Sequence, residues 1–473
     1  MARWKRENLE PVYTYLPVNM PAVSELIKGI DLNPDRLRVV LHSLFLVRML
    51  MVAVRNDDNR TRFSSGLVSL SSQMLRRIAT NDYKRYLDLL KDKEIIYEEQ
   101  QPTGGKSYLA GKFSARFRLN PKYLGLEIGK PSFRKELVTD YKTLKAIYRE
   151  KTRYQMGPDI AGKSANLKPI HEALLRMMDE VWLDLDGLCD YVKVKAAEQI
   201  TQDEMDYLLE MPDFFMALND GLISWGKVDS YGERLHTPFT NLKKELRKFI
   251  HFKDEPLQPL MCLDISNSQP YFASICGNKK IITELLPEFS TCLQFVEQAQ
   301  HEKDCKMFAD LCSSGKIYEF WMAKRHITRD EAKNEILKTV MYERNNIRYA
   351  KGKAIRLAFK KIFPSVYDLF YSIKQLNEDA LPFIRELYVD TKGKFMGKAA
   401  LHKNLSCMMQ RVESRMILNR ISTRLIEAGV KFLTVHDSFI VNPKQEQVVR
   451  NIIESEFRML GVVPPKLKST LLV

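Results

Sequence analysis

The stretch 431-KFLTVHDSFIV-441 constrains this chain more than any other. Two apolar halves flank His436-Asp437-Ser438. A lone buried carboxylate is expensive unless it is hydrogen-bonded or bound to a cation. An antiparallel hairpin with the carboxylate at its tip satisfies both halves. The segment 260-LMCLDISNSQPYFASICG-277 poses the same problem. Met261 to Ile265 reads as a short buried strand carrying Asp264, and Pro270 can open a helix. Either Asp alone reads as a structural turn residue. Two of them in one domain can hold a pair of Mg²⁺ ions, for which Mn²⁺ can substitute. One ion lowers the pKa of an attacking hydroxyl and the other stabilises departing pyrophosphate.

Between the two carboxylates lies 327-ITRDEAKNEILKTVMYERNN-346. Arg329, Lys333 and Leu337 recur at i, i+4 and i+8, so one helical face carries all three. An Arg and a Lys one turn apart can grip a triphosphate, and the next turn can pack against a base. Asp330, Glu331 and Glu335 are expected mainly off that face. The bland alternative is a solvated amphipathic helix. Charge favours the first reading: from Lys324 to Lys361, 12 Lys or Arg face 4 Asp or Glu, a net +8 over 38 residues. The whole chain is +15, which favours a polyanionic partner.

A length of 473 residues allows about two to four domains. Seven singly scattered cysteines with no CxxC argue against a disulfide framework and a zinc site. The charged start, MARWKRENLEP, has no apolar h-region, so no secretion signal is expected. The apolar run 43-SLFLVRMLMVAV-54 is too short to span a bilayer. These features predict a soluble, cytoplasmic protein without a membrane partner.

In the N-terminal part, 70-LSSQMLRRIA-79 reads as a capped helix start and 81-NDYKRYLDLLKDKEII-96 as a second helix with Tyr83, Leu87 and Leu90 on one face. Then 101-QPTGGKSYLAGKFSARFRLN-120 alternates around glycine turns and reads as a hairpin. Helix, helix, hairpin is the order of a winged helix, in which Lys84, Arg85, Lys91 and Lys93 can face DNA phosphates. A small accessory domain with solvated lysines is the alternative. Residues 170–226 read as mostly helical, through 171-HEALLRMMDEVWLDL-185 and 201-TQDEMDYLLEMPDFFMAL-218.

Asp264, the Arg329/Lys333 helix and His436-Asp437 occur in the order and rough spacing of family A nucleic-acid polymerases, a family that includes single-subunit phage-type RNA polymerases. The resemblance covers about residues 225–473. Here 260-LMCLDISNSQPYF-272 resembles motif A, 329-RDEAK-333 the start of motif B, and 435-VHDSF-439 motif C. It implies an α+β right-hand polymerase, with an antiparallel palm sheet and mainly helical fingers and thumb, preceded by the winged-helix candidate. The expected segments are 1–125 accessory domain, 126–229 helical linker and small thumb, 230–300 palm, 301–400 fingers and 401–473 palm. Asp264 and Asp437 would be the catalytic metal ligands. Arg329, Lys333, Leu337 and Gln269 would bind the nucleotide, and His436 would lie near the primer end. The stretches 232-GERLHTPFTNLKKELRKF-249 and 404-NLSCMMQRVESRM-416 resemble further family segments, which would place Arg234, Asn241 and Gln410 on the primer-template.

The resemblance implies a DNA-directed DNA polymerase that extends a primer with dNTPs. The 173 positions between Asp264 and Asp437 are compact, as in bacterial repair-type enzymes. Several positions depart from the family. Leu337 replaces the usual aromatic, and Met341-Tyr342 stands where Tyr-Gly is usual. Gln269 stands where DNA enzymes have Glu and RNA enzymes have Gly, while Ser438 is the RNA-enzyme form. An RNA polymerase or primase using rNTPs is therefore the alternative enzyme, a protein-primed or untemplated transferase stays open, and a non-catalytic DNA-binding replication factor is the alternative without activity. No exonuclease pattern or P-loop is present, so proofreading and a built-in helicase are not expected. A small thumb implies low processivity, a separate helicase or processivity factor, and a monomer. By analogy, the source would be a phage, plasmid or mobile element in a bacterial host.

Overall fold

The computed structural model describes residues 12–53, 67–70, 72–98, 115–123, 127–140, 142–144, 167–221, 226–344, 350–390 and 393–473. The chain divides into two compact units. The first comprises residues 1–165, 179–226 and 237–257, and the second 166–178, 227–236 and 258–473. These units cut across the five segments read from sequence. Residues 179–226 group with the N-terminal part, and 166–178 group with the C-terminal part.

In the first unit, Ala115–Leu119 is the central strand of an antiparallel three-stranded sheet, flanked by Leu67–Leu70 and Ile96–Glu98. The helices Ser72–Ala79 and Tyr83–Asp92 lie between the first two of these strands in sequence. Tyr83–Asp92 buries Tyr83, Leu87 and Leu90, the face its spacing predicts, together with Tyr86 and Leu89. It ends four residues earlier than its apolar pattern suggests. Glu94 takes a left-handed φ of 52°, and the Ile95 N–H returns to the Leu90 carbonyl at 2.8 Å, so the chain turns into the strand Ile96–Glu98. That strand precedes the 101–120 stretch expected to form the whole hairpin, and residues 99–114 lie outside those described.

Helix is also interrupted within 171–185: the helix Pro169–Met178 stops, and Val181–Leu183 pairs as a strand with Ile250–Phe252. Two β-branched or aromatic residues in 181-VWL-183 suit a strand. The helix Gln202–Asn219 begins at Thr201, whose hydroxyl accepts the Glu204 N–H while Glu204 accepts the Thr201 N–H.

The second unit is built on four antiparallel strands: β1 (Met261–Ile265), β2 (Phe432–Val435), β3 (Ser438–Val441) and β4 (Leu467–Leu471), in the order β2-β3-β1-β4. Leu263, Phe432, Phe439 and Val441 anchor the sheet in the core. Helix α1 (Ser268–Ile275) follows β1, and helix α2 (Lys403–Ser414) precedes β2. Among the helices before α2, Phe308, Trp321, Phe359, Phe363 and Phe370 stack edge-on and tilted into an aromatic cluster. None of the seven cysteines forms a disulfide. Among the described residues, no helix is long and apolar enough to cross a membrane.

Candidate active site

The hairpin forms with a two-residue turn. Val435 pairs with Ser438, leaving His436 and Asp437 at the tip, and His436 adopts a φ of 55°. The Ser438 hydroxyl donates to the Val435 carbonyl at 2.9 Å, and Ser438 is buried. Its side chain therefore closes the turn. Read from sequence alone, Ser438 weighs on sugar choice; in the structure its hydroxyl also fixes the turn. On the neighbouring strand, Asp264 lies opposite Ser438, and the Ile265 N–H reaches the Asp437 carbonyl at 3.4 Å. Residues 173 positions apart thus share one end of the β1–β3 pair. Both Asp residues are half-buried. Among the described residues, no three of His, Cys, Asp and Glu form a closed metal cluster.

Gln269, in the first turn of α1, has both ends of its amide engaged. Its Nε2 donates to Glu413 at 2.5 Å, and its Oε1 accepts the Tyr342 hydroxyl at 2.9 Å. Arg234 donates to the other oxygen of Glu413 through Nε at 2.9 Å and through Nη2 at 2.7 Å. Glu413 is fully buried on α2. Burial raises its carboxyl to about 7; Arg234 pulls it down, and Asp437 pushes it up through space. Burial likewise raises the Tyr342 phenol to about 12. A chain Arg234–Glu413–Gln269–Tyr342 therefore runs beside the carboxylate-bearing turn.

Arg234 belongs to a tight turn between the short strands Lys227–Val228 and Leu235–His236. The Asp229 carboxylate organises that turn. It accepts the N–H groups of Gly232 at 2.6 Å and Arg234 at 3.1 Å, and it meets the His236 imidazole at 3.1 Å. Burial alone would raise the Asp229 carboxyl, but these contacts hold it below its ordinary value. The His236 ring lies edge-on to His436, with centroids 5.7 Å apart. Arg411 on α2 and Arg415 just past its end fasten the turn. Arg411 donates to the Tyr231 carbonyl at 3.1 Å and the Ser230 carbonyl at 3.2 Å, and Arg415 pairs with Glu233. Gly232 packs so closely that a Cβ there would lie 2.5 Å from Gln410 Oε1. Gln410 thus buttresses the turn. Asn241 falls in the other unit and is half-buried.

The basic helix differs from its expected form. A capping box of Thr328 and Glu331 starts the helix Arg329–Asn334, but Glu335–Tyr342 winds as a π-helix. The wider winding closes each hydrogen-bonded turn over five residues instead of four. The residue one turn past Leu337 is then Tyr342, which reaches Gln269, whereas Met341 is buried in the core. The i, i+4, i+8 face holds only as far as Lys333. Arg329 and Lys333 are exposed. Arg329 lies 3.6 Å from Glu319 and over the Tyr318 ring. An exposed pair of this kind contributes about 0–1 kcal/mol, so an incoming anion can displace it. Leu337 is half-buried against the core. Glu335 is buried and accepts the Trp321 indole N–H at 2.9 Å. It faces inward, so it adds no charge to the exposed Arg329/Lys333 face.

Lys374 and Arg356, both buried, cap the end of the π-helix. Lys374 donates to the carbonyls of Val340 at 2.6 Å and Glu343 at 3.1 Å, and Arg356 donates to Thr339 at 3.0 Å. In the first unit, Lys84 and Arg85 are exposed, and Arg85 reaches the Asp31 carbonyl at 3.4 Å. Lys91 sits 2.8 Å from Asp88 and 3.5 Å from Glu98. Both pairs lie at the surface, so they contribute little and leave the expected phosphate contact untested.

Sequence reasoning missed Glu413 and the Asp229–His236 pair. Glu413 carried the signal that exposed Asp437: an acid inside the apolar run 405-LSCMMQRVESRMIL-418. The Asp229–His236 pair has no comparable signal, because a backbone turn brings its members together.

No family model matches the chain, and no curated protein matches it. Among solved structures, it is similar to the POL domain of Pol1 from M. smegmatis in complex with DNA primer-template and dNTP, at 12% identity and a TM-score of 0.32, over 69% of this chain and 72% of that one.

Proposed function

We propose that the second unit carries out template-directed nucleotidyl transfer, as a DNA-directed DNA polymerase without proofreading. The observation that carries this reading is the convergence of Asp264 and Asp437 at one end of paired strands, with Arg234, Gln269 and Tyr342 joined through Glu413 beside them. The donor set fits Mg²⁺. That ion favours one or two carboxylates and completes its shell with water and substrate phosphates, so it needs no closed protein cage. Asp264 and Asp437 would hold it, and it would supply activation of the attacking hydroxyl and charge neutralisation at the leaving pyrophosphate.

The chain's own residues do the rest. Arg329 and Lys333 are exposed cations on one helical turn and would receive the triphosphate. His436, at the hairpin tip, would lie against the primer end. Gln269 and Tyr342 would form the wall beside the nucleotide sugar. With Ser438 turned into its own hairpin, Gln269 is the residue left to choose the sugar. Its bulk favours deoxynucleotides.

In the first unit, the long helix Pro34–Ala53 precedes the strand, two helices and two strands described above, and the last strand lies at the centre of the sheet. That order supports a winged helix for holding DNA, with Lys84 and Arg85 on an exposed helix face. The test is side by side: primed DNA with dNTPs or rNTPs, and the same template without primer. The proposal expects Mg²⁺-dependent extension from the primer with dNTPs. Incorporation of neither pool would overturn it.

A further inference from the structure

Glu413 is not among the residues that would touch a substrate, yet the arrangement of the pocket wall depends on it. We propose that Glu413 is a positioning residue that determines sugar selectivity, an inference that rests on the nucleotidyl-transfer reading above. When ionised, a carboxylate only accepts hydrogen bonds, and the two Arg234 nitrogens on its other oxygen favour that form. The Gln269 amide must therefore turn its NH₂ towards Glu413, which leaves its oxygen for the Tyr342 hydroxyl. Rotating the amide by 180° would set oxygen against carboxylate oxygen. Glu413 thus forbids one of the two amide orientations.

Glu413 is in turn immobile. It is fully buried, and Arg234 holds its second oxygen with two nitrogens. Arg234 sits in the turn held by Arg411 on α2 and by Arg415 just past its end. Gln269 is consequently pinned from both ends to rigid elements. This matters because of how a wall discriminates. A ribonucleotide differs from a deoxynucleotide by one added hydroxyl. A long, flexible side chain such as glutamine can swing aside to admit it. A side chain held by its neighbours cannot, and discrimination of this kind depends on supporting hydrogen bonds that lock the rotamer. Gln269 supplies the bulk, and Glu413 keeps that bulk in place.

The experiment measures competitive dNTP and rNTP incorporation on a primed DNA template with Mg²⁺ at about pH 8.5, where Glu413 is ionised, for the full chain and its variants. Glu413→Gln should lower the dNTP preference about tenfold, because Arg234 keeps the new amide's oxygen and its NH₂ then faces Gln269, which turns the Gln269 amide round and disrupts its bond to the Tyr342 hydroxyl. Tyr342→Phe, which removes only the hydroxyl, should lower it in the same direction. The exchange Gln269→Glu with Glu413→Gln rebuilds the pair with donor and acceptor reversed, and should restore most of the preference. A role confined to stability would not make the exchanged pair recover selectivity. Wild-type ratios in both Glu413→Gln and Tyr342→Phe would overturn the inference, as would an exchange no better than the single variant. If Glu413→Gln fails to fold, Tyr342→Phe and the exchange decide by the same ratios. A wild-type protein that prefers rNTPs also overturns it. A wild type that incorporates neither pool instead refutes nucleotidyl transfer itself.

Discussion

Glu413→Gln also makes a quantitative prediction that needs no substrate. Burial raises the Glu413 carboxyl from its ordinary 4.5 to about 7, with Arg234 opposing and Asp437 reinforcing the rise. Each pH unit of displacement corresponds to about 1.4 kcal/mol. Ionising Glu413 inside the fold therefore costs about 3 kcal/mol more than ionising it in the unfolded chain. Between pH 4.5 and 7 the folded protein keeps a proton that the unfolded chain has released. Stability from this group is fully present below about 4.5 and is lost as pH rises through about 7. Glutamine has no proton to lose. In metal-free buffer, Tm of the variant minus Tm of wild type should rise between pH 4.5 and 8. For a unit of roughly 150–250 residues, 1 kcal/mol moves Tm by about 2–4 °C, so the expected rise is roughly 6–12 °C. Titrations not coupled to Glu413 occur in both proteins and cancel in the difference. Parallel Tm curves across this window would refute the assignment of Glu413 as a buried, proton-holding acid.

Lys374 should show the opposite sign. Burial, reinforced by Arg356, lowers its ammonium from 10.5 to about 7. The unfolded chain then holds a proton that the folded protein lacks, so wild type should gain stability relative to Lys374→Met as pH rises from about 7 to 10, read by Tm. Gly232→Ala would set a Cβ 2.5 Å from Gln410 Oε1 and 2.8 Å from Gln410 Cβ, so α2 or the turn must shift. The expected cost is about 1–3 kcal/mol, measured by thermal unfolding. Arg329→Ala should raise KM for the incoming nucleotide severalfold with little change in Tm, because its contact with Glu319 is exposed. An unchanged KM would remove Arg329 from the nucleotide site.

Much of the candidate site was legible because it depends on local contradictions in the sequence. An Asp interrupting an apolar run marked both Asp264 and Asp437, and the apolar halves flanking His436-Asp437 gave the hairpin. Tyr83, Leu87 and Leu90 marked a buried face by spacing alone. What escaped was geometry that spacing does not encode. The π-winding of Glu335–Tyr342 exchanges Tyr342 for Met341 at the site. The left-handed Glu94 ends a helix whose apolar pattern continues. The Asp229–His236 pair exists only because the turn folds back on itself.

The most direct test is primer extension with dNTPs and Mg²⁺ by wild type, Asp264→Asn and Asp437→Asn, each shown to be folded by its Tm. Asparagine keeps the shape and removes the charge that would hold the cation. The prediction is robust extension by wild type and a loss of at least about a thousandfold in each variant, of the order that removing one preorganised electrostatic group can cost. Wild-type rates in either variant would contradict the account.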